Sequence, residues 1–373
     1  MRVAIVTPWL LTFGGGEKVV AVLADMYPEA DIFALFRGRH ELPPAIEQKR
    51  IRTSFLDKIP AISSLYRPLI GLHPLAVDSL DLRGYDLVLS CDAGLMKGVL
   101  VDQDALHICY CHTPIRYIWD LYWTFRAQAP VLARPLYSMI AQYIRTWDFN
   151  AAQRVDHFVA NSRYIQRRIM KYYKRESTVI YPPVDTADAY INPTHDDYYL
   201  SVGRLSHTKR LDLLIQACNQ LGRRLVIAGQ GREEARLRRI AGPTIELRGR
   251  VSDAELPELY ANCRAFLFAA DEDFGIVPVE AQAFGRPVLA YGHGGSLETV
   301  VGEAGSEGQT GMYFPTQTVS AIKECILAFE QVESRFDSER IRAHARQFDT
   351  SVFRSQMFAF VESALAGAGK SST

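Results

Sequence analysis

Short apolar runs rich in β-branched residues alternate with amphipathic stretches along the chain. In the first half, residues 3–7, 32–35, 85–90, 106–110 and 157–160 have the length and residue types of buried strands. Residues 15–26 and 164–172 space their apolar positions as helices do. Such alternation predicts a parallel, doubly wound sheet. A break at 181–197, marked by Pro182, Pro183, Asn192 and Pro193, precedes a fresh strand at 198–202 and reads as a linker. The second half then repeats the pattern, with strands near 224–228, 244–247, 265–268 and 287–290 and helices starting at Leu211, Glu233, Asp253 and Val279. The expectation is an α/β chain of two Rossmann-like doubly wound domains, 1–185 and 198–350, facing each other across a cleft. The amphipathic segment 351–366 lies beyond the last sheet elements and is expected to cross back and brace the first domain.

Length agrees with two domains: 373 residues exceed what one core usually serves. Hydrophobic residues at 48% and charged residues at 23% are ordinary for a packed enzyme. The 42 basic and 42 acidic residues cancel, which removes the electrostatic case for nucleic acid as a partner and leaves anions to be met by local basic clusters. The six cysteines are scattered through apolar contexts and read as reduced, buried thiols. No apolar run approaches the roughly 20 residues that span a bilayer, and the opening residues 3–13, interrupted by Pro8, Trp9 and Thr12, read as a buried strand rather than a leader. The expected location is cytoplasmic or peripheral, on the inner face of the plasma membrane. The tail Gly369-Lys370-Ser371 imitates the end of a phosphate loop, but Ala364 stands where the first loop glycine belongs.

The strongest chemical signal is Glu272-Asp273-Phe274-Gly275-Ile276-Val277-Pro278-Val279-Glu280, after an apolar strand and at a helix start. A helix start offers unpaired N–H groups to an anion, and Gly275 permits close approach, so a diphosphate suits the place. Glu272 before the loop and Glu280 in the helix's first turn can accept hydrogen bonds from sugar and ribose hydroxyls. The plainer reading leaves Glu280 favouring the helix dipole and Glu272 solvated.

This phrase resembles glycosyltransferase family 4, a group of retaining enzymes of GT-B architecture, and the resemblance runs over nearly the whole chain. It implies that Glu272 contacts the transferred sugar, that Glu280 binds the ribose, and that backbone around Phe274, Gly275, Ile276 and Val277 holds the phosphates. Gly203-Arg204-Leu205-Ser206-His207-Thr208-Lys209 follows another strand, with Arg204 and Lys209 placed to converge on one anion. By resemblance these two cations neutralise the leaving diphosphate. Gly14-Gly15-Gly16 turns the first strand into a helix. It lacks the glycine spacing of a nicotinamide site, and the resemblance gives Gly15 and Gly16 a backbone role at the donor.

Cys109-Tyr110-Cys111-His112-Thr113-Pro114-Ile115-Arg116-Tyr117-Ile118-Trp119-Asp120 follows a strand end, where ligands of such sheets bind. His107, Cys109 and Cys111 share one face, but no second ligand pair completes a zinc site. The resemblance makes His112 a contact to the donor sugar, and the phrase is most similar to bacterial O-antigen and exopolysaccharide mannosyltransferases, which favours GDP-mannose. Arg116, Trp119 and Asp120 are candidates for the acceptor side, with plain core and capping roles as the alternative. The triplet Asp271-Glu272-Asp273 imitates a metal-binding motif; with Arg204, Lys209 and backbone donors available for the phosphates, no metal and no cofactor is expected. Gly294, Gly295 and Glu298 are given a supporting role.

A family member of this kind transfers a nucleotide-linked sugar to a glycan acceptor, often on polyprenyl diphosphate, with retained configuration. The stretch 49–72 carries Arg50, Arg52, Lys58 and Arg67 among apolar residues, a basic amphipathic surface suited to anionic lipid. Alternatives that keep the fold are a UDP-sugar or GDP-fucose donor or a nucleotide-sugar epimerase. From another class comes a catalytically silent nucleotide-sugar binding or assembly protein, with an oxidoreductase more distant.

Overall fold

The computed structural model describes residues 1–11, 14–38, 40–66, 68–303 and 305–369. It divides into two units, Met1–Pro183 with Phe353–Thr373, and Val184–Val352. Lys370 and Ser371 of the phosphate-loop imitation lie outside the described residues, as does Arg67.

Unit 1 runs β1 (Val3–Leu10), α1 (Gly15–Met26), β2 (Asp31–Arg37), α2 (Pro44–Glu47), β3 (Ile51–Thr53), α3 (Ile62–Leu65) and α4 (His73–Asp78). It continues with β4 (Leu87–Asp92), β5 (Leu106–Cys111), α5 (Tyr122–Gln128), α6 (Arg134–Gln153), β6 (His157–Ala160), α7 (Arg163–Tyr173) and β7 (Ser177–Val179). The strands form one parallel sheet in the order β3-β2-β1-β4-β5-β6-β7. Strands β4 and β5 are buried along their whole length, as expected of strands covered by helices on both faces. In α7 the Ser162 side chain caps the Ile165 N–H, and Ile165, Ile169 and Tyr173 fall four apart onto the buried face.

Unit 2 runs β8 (Tyr199–Val202), α8 (Leu211–Leu221), β9 (Leu225–Ala228), α9 (Glu234–Ile240), β10 (Ile245–Gly249), α10 (Glu255–Asn262), β11 (Ala265–Phe268) and α11 (Ile276–Ala283). Then follow β12 (Val288–Tyr291), α12 (Ser296–Thr299), β13 (Gly311–Phe314), α13 (Val319–Val332) and α14 (Ser338–Ala345). Its parallel sheet has the order β10-β9-β8-β11-β12-β13. The last helix, α15 (Thr350–Gly367), inserts Phe353, Met357, Val361, Ala364 and Leu365 into the core of unit 1, with Arg354 bonded to Asp25 at 2.9 Å.

Some elements escaped the hydrophobic pattern for identifiable reasons. Helix α6, at 20 residues, carries apolar side chains on an exposed face as well as a buried one, which blurs the helical period. Strands β3 and β7 are three residues each, too short to show alternation. Residues 49–72 do not form one amphipathic surface element: β3, α3 and the 3-10 turns Phe55–Lys58 and Ile70–Leu72 break the stretch up, Leu56 and Ile62 turn inward, and Arg52 pairs with Asp31 at 3.4 Å. Among the described residues no helix is long and apolar enough to cross a membrane.

In both sheets the strand order reverses beside the first strand, between β1 and β4 and between β8 and β11. Loops leaving the carboxyl ends there diverge to opposite faces and open a crevice for a ligand.

Candidate functional site

In unit 2, Gly203 follows β8 with φ of 146°, and its N–H donates to the Ala228 carbonyl at 3.0 Å. The Leu205 N–H donates to the Gln230 carbonyl at 2.9 Å. A Cβ on Gly229 would run into the Gly203 carbonyl, and one on Gly231 into that of Leu205. These two glycines, which no motif had drawn attention to, let two loops lie backbone to backbone and anchor Arg204 from either side. Its guanidinium is exposed and makes no hydrogen bond or ion pair among the described residues.

Lys209 ends the 3-10 turn His207–Lys209, and the next residue, Arg210, takes the left-handed conformation at φ 52°. The Lys209 ammonium pairs with the Glu272 carboxylate and lies 5.9 Å from the centre of the Phe268 ring. The two cations expected to converge on one anion therefore do not share a partner here: Lys209 is held by Glu272, and Arg204 is not.

The loop after β11 is pressed from behind by the glycine pair that follows β12. Gly295 N–H donates to the Glu272 carbonyl at 2.8 Å, and a Cβ on Gly294 (φ 63°) would sit 2.5 Å from that same oxygen. His293 Nδ1 lies 2.9 Å from Asp271 Oδ1, so the first member of the metal-like triplet has a partner in the protein. Gly275, at φ 92°, caps α11 with no side-chain hydrogen bond. The N–H groups of Ile276 and Val277 thus open the helix without intrahelical acceptors, and Pro278 occupies the third position, where no N–H is needed. The Phe274 ring is buried 5.5 Å from Phe348, edge to face, so what Phe274 can offer a ligand is backbone.

One detail corrects the sequence reading. Because α11 begins at Ile276, Glu280 is its fifth residue and lies past the first turn, which holds no acid. Its Oε2 accepts a hydrogen bond from the buried Tyr260 hydroxyl at 2.9 Å. Burial first, and then the Glu280 charge, push that hydroxyl's pKa well up, so it stays a donor and fixes the carboxylate.

In unit 1, Gly14 caps α1 in an extended conformation, with Gly15 and Gly16 as the first helical residues. His112 follows β5; its N–H donates to the Asp92 carbonyl at 2.8 Å, and its ring packs edge-on to Tyr110. His112 Nε2 lies 3.7 Å from where a Gly16 Cβ would be, is shielded from solvent, and has no hydrogen-bond partner among the described residues. Burial lowers the His112 pKa to about 4. The imidazole is therefore neutral near pH 7, with a nitrogen available for one ligand hydroxyl.

The loop carrying Arg116, Trp119 and Asp120 is tied down by residues outside any motif. Arg168 of α7 bonds Asp120 at 2.7 Å, the Thr113 hydroxyl at 2.8 Å and the Pro114 carbonyl at 3.1 Å. Arg116 lies 3.3 Å from Asp120. The Trp119 indole N–H is committed to Asp148 at 2.8 Å, and its ring stacks on Tyr172. Beneath it, Lys97 is wholly buried with Asp92 at 2.8 Å, Asp148 at 2.5 Å and the Gly94 carbonyl at 2.9 Å. Burial opposes the ammonium, but the Asp148 and Asp92 carboxylates outweigh it and hold its pKa well above the usual lysine value. A charge on the apolar face of α7 was the legible sign of Arg168; Lys97, between Met96 and Gly98, had no such pattern. His107, Cys109 and Cys111 are core residues, both cysteines are free thiols, and His107 Nε2 lies 2.9 Å from the Ser90 hydroxyl.

Comparison with known proteins adds to this geometry. Residues 13–188 match the Glycosyltransferase Family 4 model and 186–348 the model Glycosyl transferases group 1. The chain is 26% identical over 315 residues to the alpha-1,3/1,6-mannosyltransferase ALG2 of Saccharomyces cerevisiae, covering 69% of this chain and 60% of that protein. It is 38% identical over 100 residues to a GDP-mannose-dependent alpha-mannosyltransferase of Mycobacterium tuberculosis, 26% of each chain. The chain spans about half the length of the curated relatives it matches, 49% in the case of an uncharacterized glycosyltransferase of Methanocaldococcus jannaschii. Among solved structures, Anabaena Alr3699/HepE in complex with UDP and glucose superposes with a TM-score of 0.70 at 18% identity over 96% of this chain and 98% of that one. Sucrose-phosphate synthase from Thermosynechococcus elongatus gives 0.72 at 17% identity, over 98% and 100%. At such identities the likeness shows the fold: two parallel-sheet Rossmann-like domains of the GT-B type.

Proposed function

Because the chain joins a Glycosyltransferase Family 4 domain to a Glycosyl transferases group 1 domain, we propose that it is a retaining, metal-independent glycosyltransferase that moves mannose from GDP-mannose to a glycan acceptor. The observation that carries this reading is the pairing of Lys209 with Glu272 directly before the Gly275-capped start of α11. A cation and open helical N–H groups suit a diphosphate, and a carboxylate beside them suits the sugar it carries. Mannose is supported by the mannosyltransferases among the relatives.

In this reading Arg204, Lys209 and the amides of Ile276 and Val277 hold the two phosphates. Glu280, oriented by Tyr260, takes the ribose hydroxyls, Glu272 takes a hydroxyl of the sugar, and neutral His112 another. Gly15 and Gly16 bring the start of α1 close to the donor. The acceptor hydroxyl forms the new bond to the anomeric carbon on the face from which the phosphate oxygen departs, and its proton passes to that oxygen. Positive charge already in place stabilises the departing diphosphate, the electrostatic task a metal performs in other transferases. Arg116, Trp119 and Asp120 are assigned to the acceptor side, and the acceptor class to a glycan on polyprenyl diphosphate in bacterial polysaccharide synthesis, which puts the enzyme at the inner face of the membrane.

Calorimetric titration with GDP, UDP and ADP in the presence of chelator tests the donor half, followed by turnover of the sugar form of whichever binds. Tight GDP binding and release of mannose with retained configuration are expected. UDP binding alone would move the donor, and a strict requirement for a divalent cation would overturn the charge assignment.

A further inference from the structure

Helices α5 and α6 form a hairpin in unit 1 whose apex, the 3-10 turn Val131–Ala133, carries bare apolar side chains. Leu132 is 95% exposed, Trp123 72%, Val131 and Met139 70% each, and Leu136 58%. Leu132 in that turn and Leu136, Met139 and Tyr143 on α6 follow one another at spacings of four, three and four residues, a stripe that runs from the apex along one face of α6. The opposite face already buries Ala141, Ile144, Asp148, Ala151 and Ala152. The stripe is therefore surplus to the core, and scattered surface chance does not arrange so many large apolar residues along one line.

Apart from the buried Asp148, the charges of the hairpin itself have one sign. Between Leu121 and Gln153 the only acid is Asp148, which is buried, whereas Arg126, Arg134 and Arg145 are all present. None of the three pairs with a carboxylate among the described residues; Arg126 donates to Ser138, Arg134 to the Ala127 and Ala129 carbonyls, and Arg145 to the Ile118 carbonyl. The turn Ile70–Leu72, which packs beside α6, adds exposed Leu72 to the same region.

We infer that the α5–α6 hairpin is a monotopic docking surface for an anionic lipid bilayer, with Leu132 and its neighbours in the acyl boundary and the arginines at the headgroups. An amphipathic element with an apolar stripe and arginine flanks inserts a few ångströms and holds there by both contributions. A second copy of this chain fits less well, since a two-fold contact through the stripe would bring the unpaired arginines of both copies together. The inference does not rest on the glycosyl-transfer reading, because the test below reads the surface without any substrate.

The full chain is floated with vesicles of phosphatidylcholine, with and without phosphatidylglycerol, and Trp123 is followed by emission and by quenching with brominated lipid, using Trp123→Phe as the reference. Flotation with the anionic vesicles and a blue shift lost in Trp123→Phe are expected. Leu132→Glu with Met139→Glu, both on exposed positions, should lower partitioning by about a hundredfold or more, and Arg126→Gln with Arg134→Gln by about tenfold. Wild type that stays in the soluble fraction with anionic vesicles overturns the inference, as does unchanged partitioning of the double glutamate variant. A sedimenting dimer that the glutamate variant abolishes would assign the stripe to a second copy and overturn it equally.

Discussion

Glu272→Gln separates binding from turnover in a way few substitutions can. Its carboxylate holds the Lys209 ammonium, with 28% and 20% of the two side chains exposed. In the proposed site a diphosphate competes with that carboxylate for the same ammonium and suffers its repulsion. An ion pair at this exposure is worth about 0.2–1 kcal/mol, so removing its negative partner should tighten GDP binding by up to about fivefold. If Glu272 receives a sugar hydroxyl as proposed, that hydroxyl loses an ionised acceptor, worth roughly 1.5–3 kcal/mol in a protein site, so turnover of the sugar donor should fall about 10- to 150-fold. Calorimetry with GDP and a radiolabelled transfer or hydrolysis assay, run on one preparation at one ionic strength, measure both. The glutamine is isosteric and its backbone carbonyl still receives the Gly295 N–H, so the melting temperature should move little. If GDP binding weakens in parallel with turnover, Lys209 and Glu272 act only as a structural pair and the placement of the diphosphate beside them is wrong.

Arg204→Ala and Lys209→Ala should each lower turnover by about a hundredfold or more, since each removes preorganised positive charge from the leaving group; near-normal steady-state rates in both variants would defeat the assignment. Gly229→Ala should abolish donor binding and lower thermal stability, because the new Cβ meets the Gly203 carbonyl and φ is 138°; an unchanged melting curve would show that the two loops are free to part. Acid should loosen unit 1: burial lowers the pKa of His73 and His107 to about 4. With folded values below the unfolded 6.5, the unfolded chain binds more protons in that window. Stability is then complete above about pH 6.5 and falls toward pH 4, by about 3 kcal/mol for each group at the limit. Denaturant midpoints across that range check the sign, and a midpoint that rises on acidification would contradict it.

The alternation of strand-like and helix-like runs was enough to read two parallel sheets, because buried parallel strands are continuous apolar segments and the intervening helices keep a clean period. It failed where a segment obeys two demands at once. Helix α6 packs one apolar face inward and leaves another bare, so its period is smeared, and the exposed Leu132 just before it sat in a stretch to which no element was assigned. The basic stretch 49–72 shows the reverse error: a good amphipathic pattern on paper, it is divided among four short elements, and part of its charge is spent on Asp31.

The site was legible to the degree that chemistry is carried by residue type, and illegible where it is carried by support. Glu272, Gly275 and Lys209 stood out because a carboxylate, a glycine and a cation at strand ends together suit a sugar diphosphate, and the structure brings Lys209 and Glu272 into contact. Nothing in the chain announces Gly229 and Gly231, whose function is to have no side chain opposite two carbonyls. Lys97 is a stronger case: it lies in an apolar run, yet its ammonium ties the end of β4 to Asp148 of α6, which in turn holds the Trp119 indole and the Tyr173 hydroxyl. A buried cation with two carboxylates tolerates no loss of a partner, since the remaining charges would stand uncompensated. The loop from His112 to Asp120 is therefore held by Lys97 and Arg168, two charges that the motif itself does not contain. The conformation of that loop depends on residues that a motif search would leave free to vary.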